Sequence, residues 1–232
     1  MPFLDDTGPR DDSSRGPVAQ AFAVFAGQVE RLVVVNLLWA LQLVPGFAAV
    51  AFGDVLPTAV RLVLAGWTAI ALAAGTAVLY AVAALAADGG HVGISEVREA
   101  VREFAGPGVR VLGPLYAGFG FLLWLLALPT PVPATVLAGW LALLTLLIGG
   151  FWGPELAAHP EQGAARVLAN SVRAWWRRPG GALTSAVVWV LLAAFGVLSV
   201  GGMFLAVPVL IALVQTETLR RASLPTRQVA HV

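Results

Sequence analysis

The sequence contains no cysteine and no lysine, and charged residues make up only 12% of its 232 positions. The lack of cysteine excludes disulfides, thiol nucleophiles, thiolate zinc sites and covalent haem attachment. A formal net charge of +1 gives no reason to expect a nucleic-acid partner. The histidines, His91, His159 and His231, are far apart in the chain. We therefore predict neither a metal site nor a cofactor.

Hydrophobic residues are in large excess. They make up 59% of the chain, against roughly 45–50% in ordinary soluble domains. The mean hydropathy of +0.84 agrees. A soluble fold of this size could not bury so much apolar surface, so the surplus must face lipid. The composition therefore predicts an integral membrane protein.

Segments long enough to cross a bilayer can be counted directly, because a spanning helix needs roughly 20 mostly apolar residues. The last apolar run, 179–219, is too long for one crossing, and we expect it to turn at 199–202. The predicted spans are 32–52, 62–87, 111–128, 134–153, 182–198 and 203–219. The predicted fold is thus an all-α polytopic membrane helical bundle over residues 18–222. A disordered lead-in (1–17) precedes it and a tail (223–232) follows.

Two further segments, 94–104 and 161–178, have apolar residues at helical spacing and are predicted to be amphipathic helices on the cytoplasmic side. Pro107 and Pro179 follow them and are expected to end each helix and redirect the chain into the membrane. In 161–178, three arginines lie within about 40° of each other beside an apolar face. The residues predicted to contact lipid headgroups or a partner are Arg166, Arg173, Arg177, Arg178, Trp175 and Trp176. An ordinary cytoplasmic helix docked on the bundle is the alternative.

The arginines also predict the orientation. Thirteen of the fourteen lie in segments that six crossings place on one side, and only Arg61 lies on the other. Because arginines near span ends are retained in the cytoplasm, we expect both termini there, with the chain in the bacterial inner membrane. The first residues have no basic segment followed by an apolar core, so no signal peptide is expected.

Polar side chains within the spans are few. Asn36, Tyr80 and Asn170 are predicted to line a small polar cavity in the cytoplasmic half, or else each bonds a neighbouring helix. Small residues such as Ala65, Ala69 and Ala73 recur on one side of the second span and predict tight packing or a homo-oligomer contact.

Four segments in this order resemble the YesL family of bacterial membrane proteins of unknown function. They are VNLLWALQLVPG (35–46), GTAVLYAV (75–82), EVREAVREF (96–104) and LANSVRAWWRRPG (168–180). The segment between Gly46 and Gly75 is longer here than in typical members. Family members are often encoded near carbohydrate transporter components, so the resemblance implies a role in carbohydrate uptake. It implies no catalytic residues.

A catalytic constellation is not apparent. Asp54 and Asp88 are at span ends and Glu217 is one turn from the cytoplasmic exit, so no carboxylate lies mid-span. We therefore predict that the chain is not an enzyme but an accessory of a transport system, with membrane lipid and a transporter subunit as partners. One alternative is a small transporter or channel for a neutral solute. A second is a lipid-modifying enzyme at the inner leaflet.

Overall fold

The computed structural model describes residues 16–129, 131–177, 179–199 and 206–223, which are helical almost throughout and include no strand. The helices are α1 (Pro17–Gly27), α2 (Val29–Leu41), α3 (Val44–Ala51), α4 (Thr58–Ala87), α5 (Ile94–Ala127), α6 (Val132–Gly149), α7 (Trp152–Ala158), α8 (Ala164–Arg177), α9 (Pro179–Leu198) and α10 (Val207–Ser223). The predicted all-α class is confirmed for this part of the chain. The lead-in up to residue 15, the expected turn at 200–202 and the tail from 224 lie outside it.

Three helical stretches are long and apolar enough to cross a membrane: α4, α5 and the pair α6–α7. The pair α1–α2 is a fourth candidate, although its two helices are bent by 96° at their junction. Helix α9 contributes a shorter apolar stretch, Pro179–Leu192. The fold therefore has three to four candidate membrane spans, and six crossings remain a prediction.

The predicted first span, 32–52, is two helices joined by a turn and not one continuous helix. Helix α2 ends at Leu41, and α3 begins at Val44 with Pro45 in its first turn. Proline has no N–H, and its ring clashes with the carbonyl group four residues earlier. Pro45 therefore favours the end of α2 at Leu41 and the start of a new helix.

The expected break at Pro107 was wrong. The predicted surface helix 94–104 and the predicted span 111–128 belong to one helix, α5, which contains Pro107 and Pro114. Next to Pro107, Gly108 lets α5 pack closely on α4, because a β-carbon there would meet the Ala77 β-carbon and the Ala73 carbonyl oxygen. Packing on a neighbouring helix compensates for the hydrogen bond that proline removes. By contrast, Pro179 does begin a new helix, α9.

Helix α4 lies at the centre, where it packs against α3, α5, α7 and α10. Helix α10 in turn packs against α1 and α9. Buried side chains are concentrated at one end of this arrangement, in the C-terminal half of α4, the N-terminal half of α5, α7 and α10. This is the end at which α8 is docked.

The other half of the structure exposes large apolar side chains. Trp67 of α4 and Trp140 of α6 are each 62% exposed. Large exposed apolar residues in this half include Phe47, Val50, Leu62, Val63, Ile70, Phe121, Trp124, Val136 and Leu137. Soluble monomers rarely expose contiguous apolar surface on this scale. Lipid contact accounts for it, in agreement with the apolar composition.

Candidate functional site

Asn36, which the sequence singles out, is a buried residue of α2 that joins this helix to α10. Its Oδ1 accepts a hydrogen bond from the backbone N–H of Val209, with an N···O distance of 3.0 Å. The first N–H groups of a helix have no partner within that helix. Since Val209 lies in the first turn of α10, Asn36 acts as a cap supplied by another helix.

Tyr80 of α4 joins the same helix farther along. Its hydroxyl donates a hydrogen bond to Oε1 of Gln215 in α10, and both side chains are buried. Gly153 at the start of α7 packs flat against the Tyr80 ring, where a β-carbon would overlap the ring atoms. A β-carbon on Gly150 would lie 3.2 Å from Nε2 of Gln215. The glycines of GGFWGP (149–154) therefore let α7 approach α4 and α10 closely.

Asn170 lies in α8 and has different neighbours. Its Nδ2 donates to Oε1 of Gln162 at 3.0 Å, and its Oδ1 accepts from Nη1 of Arg173 at 3.1 Å. Neither of two cavities in the described part of the chain is lined by Asn36, Tyr80 or Asn170. A polar cavity shared by these three residues remains a prediction.

Several buried polar residues, among them Glu217 near the end of the last predicted span, were not predicted to belong to a site. Gln215, Thr216, Glu217 and Thr218 follow one another in α10 and are all buried. Glu155 of α7 is buried as well, and it interacts with the Asn170 side chain and the Arg173 charge of α8. The sequence does contain a signal for residues 215–218, because they form an unbroken polar run in the last predicted span. No local pattern marked Glu155.

Helix α8 has three distinct faces. The docked face consists of Val167, Ser171 and Ala174, which are buried against the bundle. This face is the one expected of a helix docked on the bundle. Two exposed faces remain. The arginine face consists of Arg166, Arg173 and Arg177, and the apolar stripe consists of Leu168, Val172 and Trp176.

The two exposed faces of α8 adjoin each other. At 3.6 residues per turn, the three faces are about 120° apart around the helix, so the apolar stripe borders both the docked face and the arginine face. Trp176 is 76% exposed, and its ring centroid is 5.9 Å from that of the half-buried Trp175. Arg178, the remaining predicted contact residue, lies outside the described residues. The described members of the predicted contact surface all lie on α8, and their contact with lipid or a partner stays a prediction.

The end of α4 is held by charged and polar contacts. Arg220 of α10 forms an ion pair with Asp88, and its Nη1 donates to the Ala87 carbonyl at 2.9 Å. Gln28, at the junction of α1 and α2, donates to the Gly90 carbonyl at 2.9 Å and accepts from the Val92 N–H at 3.0 Å. These contacts fix the loop between α4 and α5 and, through Gln28, the bend between α1 and α2.

Chemical groups that could bind a metal do not assemble within the described ranges, where no group of three or more His, Asp or Glu side chains has suitable geometry. The comparisons with known proteins give no further guide. No protein-family model, curated protein or solved structure matches the chain.

Proposed function

We propose that this chain is a multi-pass protein of the bacterial inner membrane, with six crossings and both termini in the cytoplasm. In this proposal it has no catalytic activity and serves as an accessory component of a transport system. It contacts that system, and the lipid headgroups around it, through the two exposed faces of α8. The resemblance to the YesL family suggests that the transported solute is a carbohydrate.

One observation carries the proposal: α8 is fixed to the bundle by one face and presents two others. Because Val167, Ser171 and Ala174 already provide its docking contacts, Leu168 and Trp176 are not needed for the chain's own core. Exposed tryptophan and arginine side chains are the residue types that dominate contact surfaces in protein complexes. Arginines beside an apolar stripe are also typical of helices that lie in the headgroup layer.

The neutral-solute transporter is the less favoured alternative. A solute path needs polar side chains that line continuous space, whereas Asn36 and Tyr80 are each bonded to α10. The lipid-modifying enzyme needs a general base that can reach its substrate. The exposed candidates for that base are His159 and Glu161, which lie just before α8 and 4.0 Å from each other. The Glu155 carboxylate of α7 is buried and bonded to Asn170, which favours an anchoring role for Glu155.

Affinity capture from membranes in mild detergent tests the accessory role. We expect subunits of a transport system to co-purify with the wild-type chain. The double variant Arg173→Glu/Arg177→Glu should lose them, since both charges of the contact surface are reversed. The double variant Arg98→Glu/Arg102→Glu is the matched control, because these exposed arginines of α5 alternate with Glu96, Glu99 and Glu103. Recovery of nothing but the chain itself would contradict the proposal.

A further inference from the structure

An open groove lies between α3 and the first half of α4, at the end of the structure away from α8. Its volume is about 730 Å³, which falls in the range of roughly 300–1,000 Å³ typical of ligand sites. Its walls are apolar side chains and small residues, among them Leu43, Phe47, Leu62, Ala65 and Ala69. Arg61 is the one charged residue that lines it.

The deep end of the groove, at Thr68, is formed by a close helix contact. A β-carbon on Gly46 of α3 would lie 2.9 Å from Cγ2 of Thr68 in α4, so the Gly46 backbone packs directly on the Thr68 side chain. The Thr68 hydroxyl donates to the Leu64 carbonyl at 2.8 Å. Since that hydroxyl is already bonded, the deep end of the groove offers an apolar surface.

Arg61 supplies a charge without a counter-charge. Its Nη2 donates to the Thr58 hydroxyl at 3.3 Å, and no ion pair joins it to a carboxylate within the described residues. A guanidinium group binds phosphate oxygens readily, because its planar donors match their geometry. An anion at the mouth of the groove would therefore complement the site.

The position of Arg61 identifies the anion. Arg61 lies in the first turn of α4 and Asp88 directly follows its last turn, so they are about 40 Å apart along the helix axis. The hydrocarbon core is about 30 Å thick. With Asp88 and Arg220 at one boundary of the membrane, Arg61 reaches the opposite headgroup layer. The groove extends from Arg61 to Ala69, about 12 Å along the axis into the hydrocarbon region.

We propose that the α3–α4 groove binds one anionic phospholipid from the leaflet opposite α8. Its phosphate bonds to the Arg61 guanidinium, and an acyl chain lies along Leu62, Ala65 and Ala69. A lipid fits better than a second copy of this chain, because the site combines a cation without an ion-pair partner at headgroup depth with an apolar groove beneath it. The proposal rests on membrane insertion but not on the accessory role.

Native mass spectrometry of the detergent-purified chain with added phosphatidylglycerol tests this site. We expect a bound lipid on the wild type and about fivefold weaker binding by Arg61→Gln, which corresponds to about 1 kcal/mol for one arginine at the membrane surface. Arg61→Lys should retain most of the binding, because it keeps the positive charge. Ala65→Leu should weaken binding of phosphatidylglycerol and phosphatidylcholine alike, because it fills the groove.

The control is Arg98→Gln, which removes an exposed arginine of α5 and should bind as the wild type does. Glycerol phosphate, a headgroup without chains, should not displace the lipid. Equal lipid binding by the wild type, Arg61→Gln and Ala65→Leu would overturn the proposal, as would a dimer that Ala65→Leu dissociates. A chain that is monodisperse without detergent would instead overturn membrane insertion itself, so the two failures are distinguishable.

Discussion

At the scale of single residues, the buried polar contacts between helices matter most. Asn36 and Tyr80 could be picked out from the sequence because polar side chains are scarce within the spans. Their partners could not, since Val209 and Gln215 lie more than a hundred residues away along the chain. Hydrophobic periodicity reports which face of a helix is apolar. It carries no information about which distant helix that face meets.

The Asn36 contact makes a direct prediction about stability. Asn36→Leu keeps the side chain's approximate size but leaves the Val209 N–H without this acceptor. We expect a loss of about 1–3 kcal/mol in the free energy of unfolding, seen as a lower melting temperature in detergent. Val34→Leu, at an exposed position of the same helix, should melt within error of the wild type. Equal melting temperatures for both variants would mean that the cap is dispensable.

Gly153 gives a second prediction, based on size. In Gly153→Ala the added methyl group must displace the Tyr80 ring, and overpacking of this kind typically costs about 1–3 kcal/mol. Gly118→Ala is the matched control, because Gly118 lies within α5 with nothing near its β-carbon position. Alanine is the better helix former, so this control should be neutral or slightly stabilising. Thermal unfolding in detergent distinguishes the two, and an unchanged midpoint for Gly153→Ala would refute the close contact.

At the scale of helices, the sequence patterns predict where helices lie better than they predict the residues at which helices end. Helix α8 lies within the predicted segment 161–178, because its apolar spacing is regular and Pro179 follows it. The predicted division of α5 at Pro107 is wrong, because the local effect of a proline takes no account of the packing of Gly108 on α4. Pro45 was the opposite case, since it separates α2 and α3 within a segment of uniform hydropathy. A proline in the sequence therefore does not by itself fix where a helix ends.

The exposed faces of α8 predict binding to anionic lipid. Arg173→Glu/Arg177→Glu replaces two positive charges with two negative ones next to the apolar stripe. The sample is a synthetic peptide of residues 161–178. We expect the variant peptide to co-float less with phosphatidylglycerol vesicles than the wild-type peptide does, and to differ little from it with phosphatidylcholine vesicles. Each arginine near an anionic surface contributes about 1 kcal/mol, and the effect should weaken with added salt. Binding that is indifferent to lipid charge would leave a role in protein contact alone.

At the scale of the whole molecule, the distribution of burial and charge defines a polarity. The packed end holds α8, Arg220 and the ends of α4 and α10, whereas the opposite half exposes large apolar side chains. Composition alone predicted the lipid contact. It could not predict that the tight core lies at one end, because that depends on where α7 and α10 pack against α4.

The predicted orientation can be tested with single cysteines, because the chain has none of its own. Pro129→Cys lies in the exposed connection between α5 and α6, and Glu161→Cys lies in that between α7 and α8. A membrane-impermeant maleimide should label Cys at position 129 in intact cells. It should label Cys at position 161 only after the inner membrane is permeabilised. The reverse pattern would invert the topology, and equal labelling of both would argue against a crossing between them.

The central place of α10 has a consequence for biosynthesis. This helix provides the contacts of Asn36 and Tyr80, and its Arg220 holds the end of α4, yet it leaves the ribosome after all the helices that it contacts. During translation the earlier helices must therefore wait in the membrane with these contacts unformed. Assembly of the packed end must therefore follow the synthesis of α10, and nascent chains that stop short of α10 should be substrates for membrane proteases.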